Sequence, residues 1–154
     1  MSRQIQDSRA GFTLIEIMAV VVIIGLLSGI VGVAVFAQVD KGRATAAKTQ
    51  IRNLEGVLEL YHMDNSRFPS TEQGLEALVN RPGGSPEPRN YPDGGYMRSE
   101  TLPVDPWGEP YLYENPGQHN RRSFDVWTLG ADGVPGGNGV DRDLGNWIED
   151  DVGS

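Results

Sequence analysis

The sequence predicts an α+β fold: one long N-terminal helix, apolar in its first half and amphipathic in its second, packed on a small C-terminal antiparallel sheet with a short helix and loops. Three observations predict it. Ile17 to Ala37 is a run of 21 residues without a charge. Residues 38–63 place apolar side chains at spacings of three and four, the signature of one helical stripe. The remainder is rich in Gly and Pro and holds two short stretches that read as strands.

A chain of 154 residues suits an apolar segment joined to one small domain. Such a domain buries a modest core and is marginal unless something else staples it. With no cysteine, a disulfide is not that staple, which leaves a metal or a partner chain. Charge is uneven. Arg3 and Arg9 precede the apolar run with Asp7 as the lone acid, whereas from Gln38 onward 11 Lys/Arg face 19 Asp/Glu. That surface gives no reason to expect nucleic acid or anionic lipid as a partner, and it suits divalent cations.

At ~1.5 Å per residue the uncharged run, as helix, matches the ~30 Å of a bilayer core. Gly25, Gly29 and Gly32 would weaken a soluble helix but are common where membrane helices pack closely. The positive-inside rule keeps Arg3 and Arg9 in the cytoplasm and sends the C-terminal domain across the membrane. Glu16 is the misfit. A charged side chain in hydrocarbon costs roughly 2.5–3.5 kcal/mol on insertion scales. Three readings compete at this point. A secretory signal peptide has a shorter apolar core, about 7–15 residues. A plain anchor explains the length but not Glu16.

The third reading rests on the junction Gly11-Phe12-Thr13-Leu14-Ile15-Glu16. A short charged leader, a Gly, a Phe, Glu at the fifth position after the cut and an apolar run together resemble the class III leader of type IV pilins and pseudopilins. The resemblance implies that a prepilin peptidase cuts between Gly11 and Phe12, that Phe12 is then N-methylated, and that Glu16 pairs with the Phe12 amine of a neighbouring copy during assembly. A Glu16 that snorkels to the headgroups is the plainer alternative and does not exclude cleavage.

In residues 38–63 the stripe is Val39, Ala46, Ala47, Ile51, Leu54, Val57, Leu58 and Tyr61. No Pro interrupts Phe12 to Arg67, so a single helix is expected, with Gly42 and Gly56 as soft points. His62 has no second His nearby and reads as a half-buried residue near the helix end rather than a metal ligand. Asp64-Asn65-Ser66 is turn chemistry, and Phe68 before Pro69 must be extended. Ser70 or Thr71 then caps a short helix whose apolar side is Leu75, Leu78 and Val79, with Thr71-Glu72-Gln73-Gly74 close to a capping box. Residues 81–95 read as a loop. Pro106-Trp107-Gly108 reads as a turn, followed by a strand from Pro110 to Glu114. Ser123 to Leu129 alternates, with Phe124, Val126 and Thr128 on one face and Asp125, Trp127 and Leu129 on the other. These strands form a hairpin, and Trp147-Ile148 is the expected third strand. His119 falls in an exposed polar turn.

The segments YHMDNSRFPSTEQGLEALV, LPVDPWGEPYLYENPG and FDVWTLGADG…GGNGVDRDLGNW are similar to those of the major (G-type) pseudopilins of the bacterial type II secretion system. The resemblance implies a type IV pilin-like fold divided into a leader (1–11), a transmembrane and filament-core helix (12–37) and a periplasmic domain (38–154). It implies a protein in the inner membrane, single-pass, whose assembled pseudopilus lies in the periplasm. The expected partners are further copies of the chain, minor pseudopilins, the prepilin peptidase and an inner-membrane assembly platform. The implied role is export of folded proteins across the outer membrane; a type IV pilin of a surface pilus, serving adhesion, motility or DNA uptake, is the alternative.

The loop from Leu129 to Trp147 carries Asp132, Asp141 and Asp143 among glycines at 130, 133, 136, 137 and 139. Oxygen donors with little bulk suit Ca²⁺, which takes six to eight oxygens. The spacing does not match an EF-hand, and GGNGVD matches a single unit of a calcium repeat that needs tandem stacking. On residue types alone a solvated acidic turn is favoured. The resemblance implies one structural Ca²⁺ held by the carbonyls of Leu129 and Val134 and the carboxylates of Asp132, Asp141 and Asp143, with Ala131 as a further carbonyl. No nucleophile–base pair stands out, no P-loop is present, and no enzyme is expected.

Overall fold

The computed structural model describes residues 11–147, with the side chains of 30–37 left out of the description. The elements are α1 (Leu14–Asn65), a single-turn 3-10 helix (Leu75–Leu78), β1 (Leu112–Glu114), β2 (Asp125–Thr128), a second 3-10 turn (Gly139–Asp141) and β3 (Leu144–Gly145). The expected α+β arrangement is present. α1 runs unbroken through Gly25, Gly29, Gly42 and Gly56, because no Pro removes a backbone donor along its length.

The chain divides into two units, Met1–Val39 and Asp40–Ser154. In the first, the described helix side chains are exposed all round: Leu14 is 82% exposed and Leu26 68%. Among the described residues no helix is long and apolar enough to cross a membrane. Ile30 to Ala37, which complete the uncharged run of the sequence, fall where side chains are not described.

In the second unit α1 supplies the core stripe Ala47, Ile51, Leu54, Leu58 and Tyr61, each at most 2% exposed. Val57 is half-buried against it. Val39 and Ala46, expected in the stripe, are exposed, and Ala44 takes the place of Ala46. Position 44 is three residues before 47 and so shares its face, whereas 46 is rotated about 100° away. The stripe packs on Leu75, Ala77, Leu78, Tyr111, Phe124, Val126 and Leu144. His62 stacks on Phe68 with centroids 4.4 Å apart, one turn before α1 ends at Asn65.

Glu55 sits at the edge of this stripe. Burial pushes its carboxyl pKa up, against the opposing effects of the Asn146 hydrogen bond and Arg52. A carboxyl whose folded pKa lies above its unfolded value loses stability as pH rises between the two and regains it as pH falls. Glu55→Gln is therefore expected to raise the melting temperature modestly at neutral pH. The difference from wild type should shrink as pH falls into the glutamate range, and a pH series of thermal melts checks it.

The capping box is displaced by one residue from its expected place. Ser70 Oγ accepts the Gln73 N–H at 3.2 Å, and Gln73 Oε1 accepts the Ser70 N–H at 3.1 Å. Thr71 instead bridges to Asn115: its hydroxyl accepts the Asn115 N–H at 2.9 Å and donates to the Asn115 carbonyl at 3.0 Å. Only a 3-10 turn follows, since Gly74 adopts φ +58 between cap and helix. The 81–95 segment has no regular structure, as expected, but its end is tied down. Tyr91 and Tyr96 pack edge-to-face at 5.4 Å, and the Tyr96 hydroxyl receives an Asn65 Nδ2 bond at 3.0 Å.

β1 pairs antiparallel with β2, Tyr113 opposite Val126, and β3 adds to the other side of β2, Thr128 opposite Leu144. The hairpin is the predicted one with shorter strands. The third strand is not at Trp147-Ile148 but three residues earlier, at Leu144–Gly145, because Leu144 and not Trp147 is the side chain buried in the core. Trp147 turns back over Gly145, filling the space where a Cβ would stand, and stacks on His119 at 4.0 Å. Ile148 lies outside the described residues. The turn at Pro106-Trp107-Gly108 is built on buried Asp105, whose Oδ1 accepts the N–H groups of Trp107 (2.9 Å) and Glu109 (2.8 Å) while Oδ2 accepts the Thr128 hydroxyl. Asp125, expected on the outer face of its strand, is 1% exposed.

Candidate functional site

Two places carry the residues singled out by the sequence: the start of α1 and the glycine-rich acidic loop. At the first, Gly11 and Phe12 precede the helix, and Phe12 is 79% exposed. Thr13 is the N-cap. Its Oγ1 accepts the Glu16 N–H at 3.3 Å, and Glu16 Oε2 accepts the Thr13 N–H at 3.5 Å. This reciprocal pair is a capping box, and the pattern Thr-x-x-Glu before an apolar run was its available sequence signal. Glu16 thus has a local partner that its position in the apolar run did not suggest. Both bonds are long, so the cap is weak.

The acidic loop closes on itself through its backbone. The Ala131 N–H donates to the Val140 carbonyl at 3.0 Å, and the Asp143 N–H to the Gly136 carbonyl at 3.1 Å. Gly130, at φ +74, makes this possible: a Cβ there would lie 2.8 Å from the Arg142 carbonyl oxygen. Asp143 Oδ2 accepts the Gly136 N–H at 3.0 Å, and its Oδ1 is buried without a partner. Asp132 is exposed and its Oδ1 accepts the Val134 N–H at 3.0 Å, an Asx-type turn at the loop tip. Asp141 ends the second 3-10 turn and is half-buried. Val134 is 57% exposed.

These donors are not assembled. Among the described residues no three His, Cys, Asp or Glu side chains form a metal-holding group. Leu129 and Asp132 line one cavity of about 300 Å³, next to Glu109 and Leu112. Asp143 lines a different cavity of about 160 Å³, with Glu114, His119, Asp125 and Trp147. In kind the donors fit a hard cation, and among the described side chains of this loop Asp143 Oδ1 is the oxygen whose burial calls for a partner. Neither cavity joins a nucleophile to a base by a hydrogen bond.

The comparisons agree with this architecture. Residues 34–147 match the family described as Type II secretion system (T2SS), protein G, and residues 7–32 match the prokaryotic N-terminal methylation motif, which takes in Gly11, Phe12 and Glu16. The chain is 49% identical over 139 residues to the type II secretion system core protein G of Pseudomonas aeruginosa, covering 90% of this chain and 95% of that one. It is likewise 49% identical to the core protein G of Vibrio cholerae, covering 90% and 92%. The crystal structure of the major pseudopilin from the type 2 secretion system of enterohaemorrhagic Escherichia coli is similar at TM-score 0.63 and 44% identity, over 73% of this chain and 92% of that one. A long helix carrying a three-stranded antiparallel sheet, an N-terminal methylation motif and similarity through Trp147 converge on one conclusion: the chain belongs to the type II secretion system protein G family.

Proposed function

We propose that this chain is the major structural subunit of a type II secretion pseudopilus, anchored by its N-terminal helix in the inner membrane and polymerising into a periplasmic filament. The observation that carries the reading is the bare apolar helix end. Phe12, Leu14 and Ile15 are each more than 70% exposed, while the second unit buries a core of its own. Such a surface demands lipid before assembly and other copies after it. Leader removal at Gly11-Phe12 would free an amine beside Glu16, the charge partner that hydrocarbon does not supply. Minor pseudopilins, the prepilin peptidase and an inner-membrane platform are the partners this role needs. The intact mass of the mature N-terminus tests it: a species beginning at N-methylated Phe12 is expected, and Gly11→Ala is expected to leave the full leader in place. Material from cells with the peptidase that still begins at Met1 would count against the reading.

The acidic loop is proposed as a structural Ca²⁺ site that staples a domain lacking disulfides, with Asp132, Asp141, Asp143 and the Leu129 and Val134 carbonyls as ligands. The buried, unpartnered Asp143 Oδ1 supports it. Binding requires Asp132 to approach Asp143, so the ion would order the loop and couple its affinity to folding. Calcium at 100-fold over its dissociation constant stabilises by about 2.7 kcal/mol. The wild-type melting temperature is expected to rise in calcium and fall in chelator, and Asp132→Ala to remove that difference. A calcium-independent melt would dismiss the site.

A further inference from the structure

A groove of about 310 Å³ lies between the middle of α1 and the β3 end of the sheet. Lys48, Arg52 and Glu55 line it from α1; Arg142, Leu144 and Trp147 line it from the other side. Three cations against one acid is an unusual concentration in a chain of net charge −8. Ile51 and Leu144, which are 2% and 4% exposed, give it an apolar floor. β3 is also an edge strand, since the sheet order is β1-β2-β3, and its outer side has no strand partner among the described residues. Unpaired edges are normally covered.

Seven residues follow Trp147 in the sequence: Ile148-Glu149-Asp150-Asp151-Val152-Gly153-Ser154. They lie outside the described residues and beyond the family match, which stops at 147. We propose that this acidic segment occupies the basic groove of its own chain. Charge complementarity favours it: Glu149, Asp150 and Asp151 meet Lys48, Arg52 and Arg142. Connectivity commits it to the same chain. Trp147 is itself a wall of the groove, held by its stack on His119, so the acids start two residues from the site. A short tether gives an effective concentration in the millimolar range, well above that of a second molecule in dilute solution. Ile148 is the large apolar residue at the segment's start, and in the proposed position it would meet the groove's Ile51–Leu144 floor. The segment would thus cover the β3 edge and neutralise the groove, a surface contact whose strength depends on salt.

The absence of native cysteine makes the test direct. Full-length Glu55→Cys/Asp151→Cys protein in detergent keeps all three groove cations and two tail acids. Mild oxidation is expected to give a monomeric disulfide, forming about five-fold faster in low salt than in 1 M salt, where the Debye length is ~3 Å. The rate should fall similarly when Glu149→Gln and Asp150→Asn are added. A disulfide-linked dimer would assign the groove to another copy, and a rate indifferent to salt and to tail charge would remove the electrostatic basis; either overturns the proposal. A second measurement avoids the engineered cysteines. Glu149→Gln/Asp150→Asn/Asp151→Asn should melt below wild type in low salt and together with it in high salt, and identical melts in low salt would likewise overturn it.

Discussion

Glu16→Gln is expected to abolish filament assembly as completely as Glu16→Ala while leaving the protein in the membrane. Two roles meet on this residue, and their magnitudes separate them. As the fourth residue of a capping box with Thr13, Glu16 accepts a bond of 3.5 Å at its carboxylate and donates one of 3.3 Å from its N–H, at the long limit of hydrogen bonding. Such a cap is worth about 1 kcal/mol at most. Placing a carboxylate among lipid tails costs roughly 2.5–3.5 kcal/mol. A weak cap does not offset that cost, so the charge must find a cation, and the amine freed at Phe12 is the proposed one. Gln serves a capping box as well as Glu does. It cannot neutralise an amine. Electron microscopy of sheared filaments, with membrane fractionation as the control for insertion, reads the result. If Gln supports filaments and Ala does not, the cap explains Glu16 and the intermolecular pairing is discarded.

What the sequence disclosed follows from which signals are local. Helical periodicity from Ala47 to Tyr61 is a property of the chain alone, and the buried stripe matches it. The hairpin was legible because Tyr111, Tyr113, Phe124, Val126, Trp127 and Thr128 are β-formers between turns. β3 was not, because a two-residue strand carries no periodicity; the bulk of Trp147 drew the assignment towards itself, while tertiary packing chose Leu144. Buried acids were the other gap. Asp105 precedes a Pro-x-Gly turn, and Asp125 stands in an alternating strand on the face expected to point outward, yet they are 3% and 1% exposed. Their burial depends on which backbone N–H groups the fold brings to them. The acidic loop shows the converse: its composition was plain, but Asp132 and Asp143 face separate cavities, and spacing could not reveal that.

Asp125→Ala is expected to be the most damaging single substitution in the domain outside its apolar core. The carboxylate gathers three donors: the His119 N–H at 2.8 Å, the Asn120 N–H at 3.0 Å and Asn120 Nδ2 at 2.9 Å. Together they fix the turn that joins β1 to β2. Gly117 is pressed so closely on this carboxylate that a Cβ would stand 2.5 Å from it. Asn120 leads onward to Asn146, 3.4 Å away, whose Oδ1 accepts the Val126 N–H at 3.0 Å and whose Nδ2 donates to the Phe124 carbonyl at 3.1 Å. One buried charge thereby links the hairpin turn, β2 and the residue after β3. Truncation strands two backbone donors and a side-chain amide, and charge-assisted bonds contribute about 1.5–3 kcal/mol each before compensation by water. A net loss of about 3 kcal/mol is expected, which lowers the melting temperature of a domain this size by roughly 10 °C or more. Asp125→Asn should recover only part of it, since its amide group turns a donor towards donors already there. The exposed Asp132→Ala, measured without calcium, supplies the reference and should stay within about 0.5 kcal/mol of wild type. Circular dichroism melts of the three variants decide the matter: if Asp125→Ala melts with Asp132→Ala, the network does not hold the hairpin, and the sheet owes its stability to apolar packing on α1 alone.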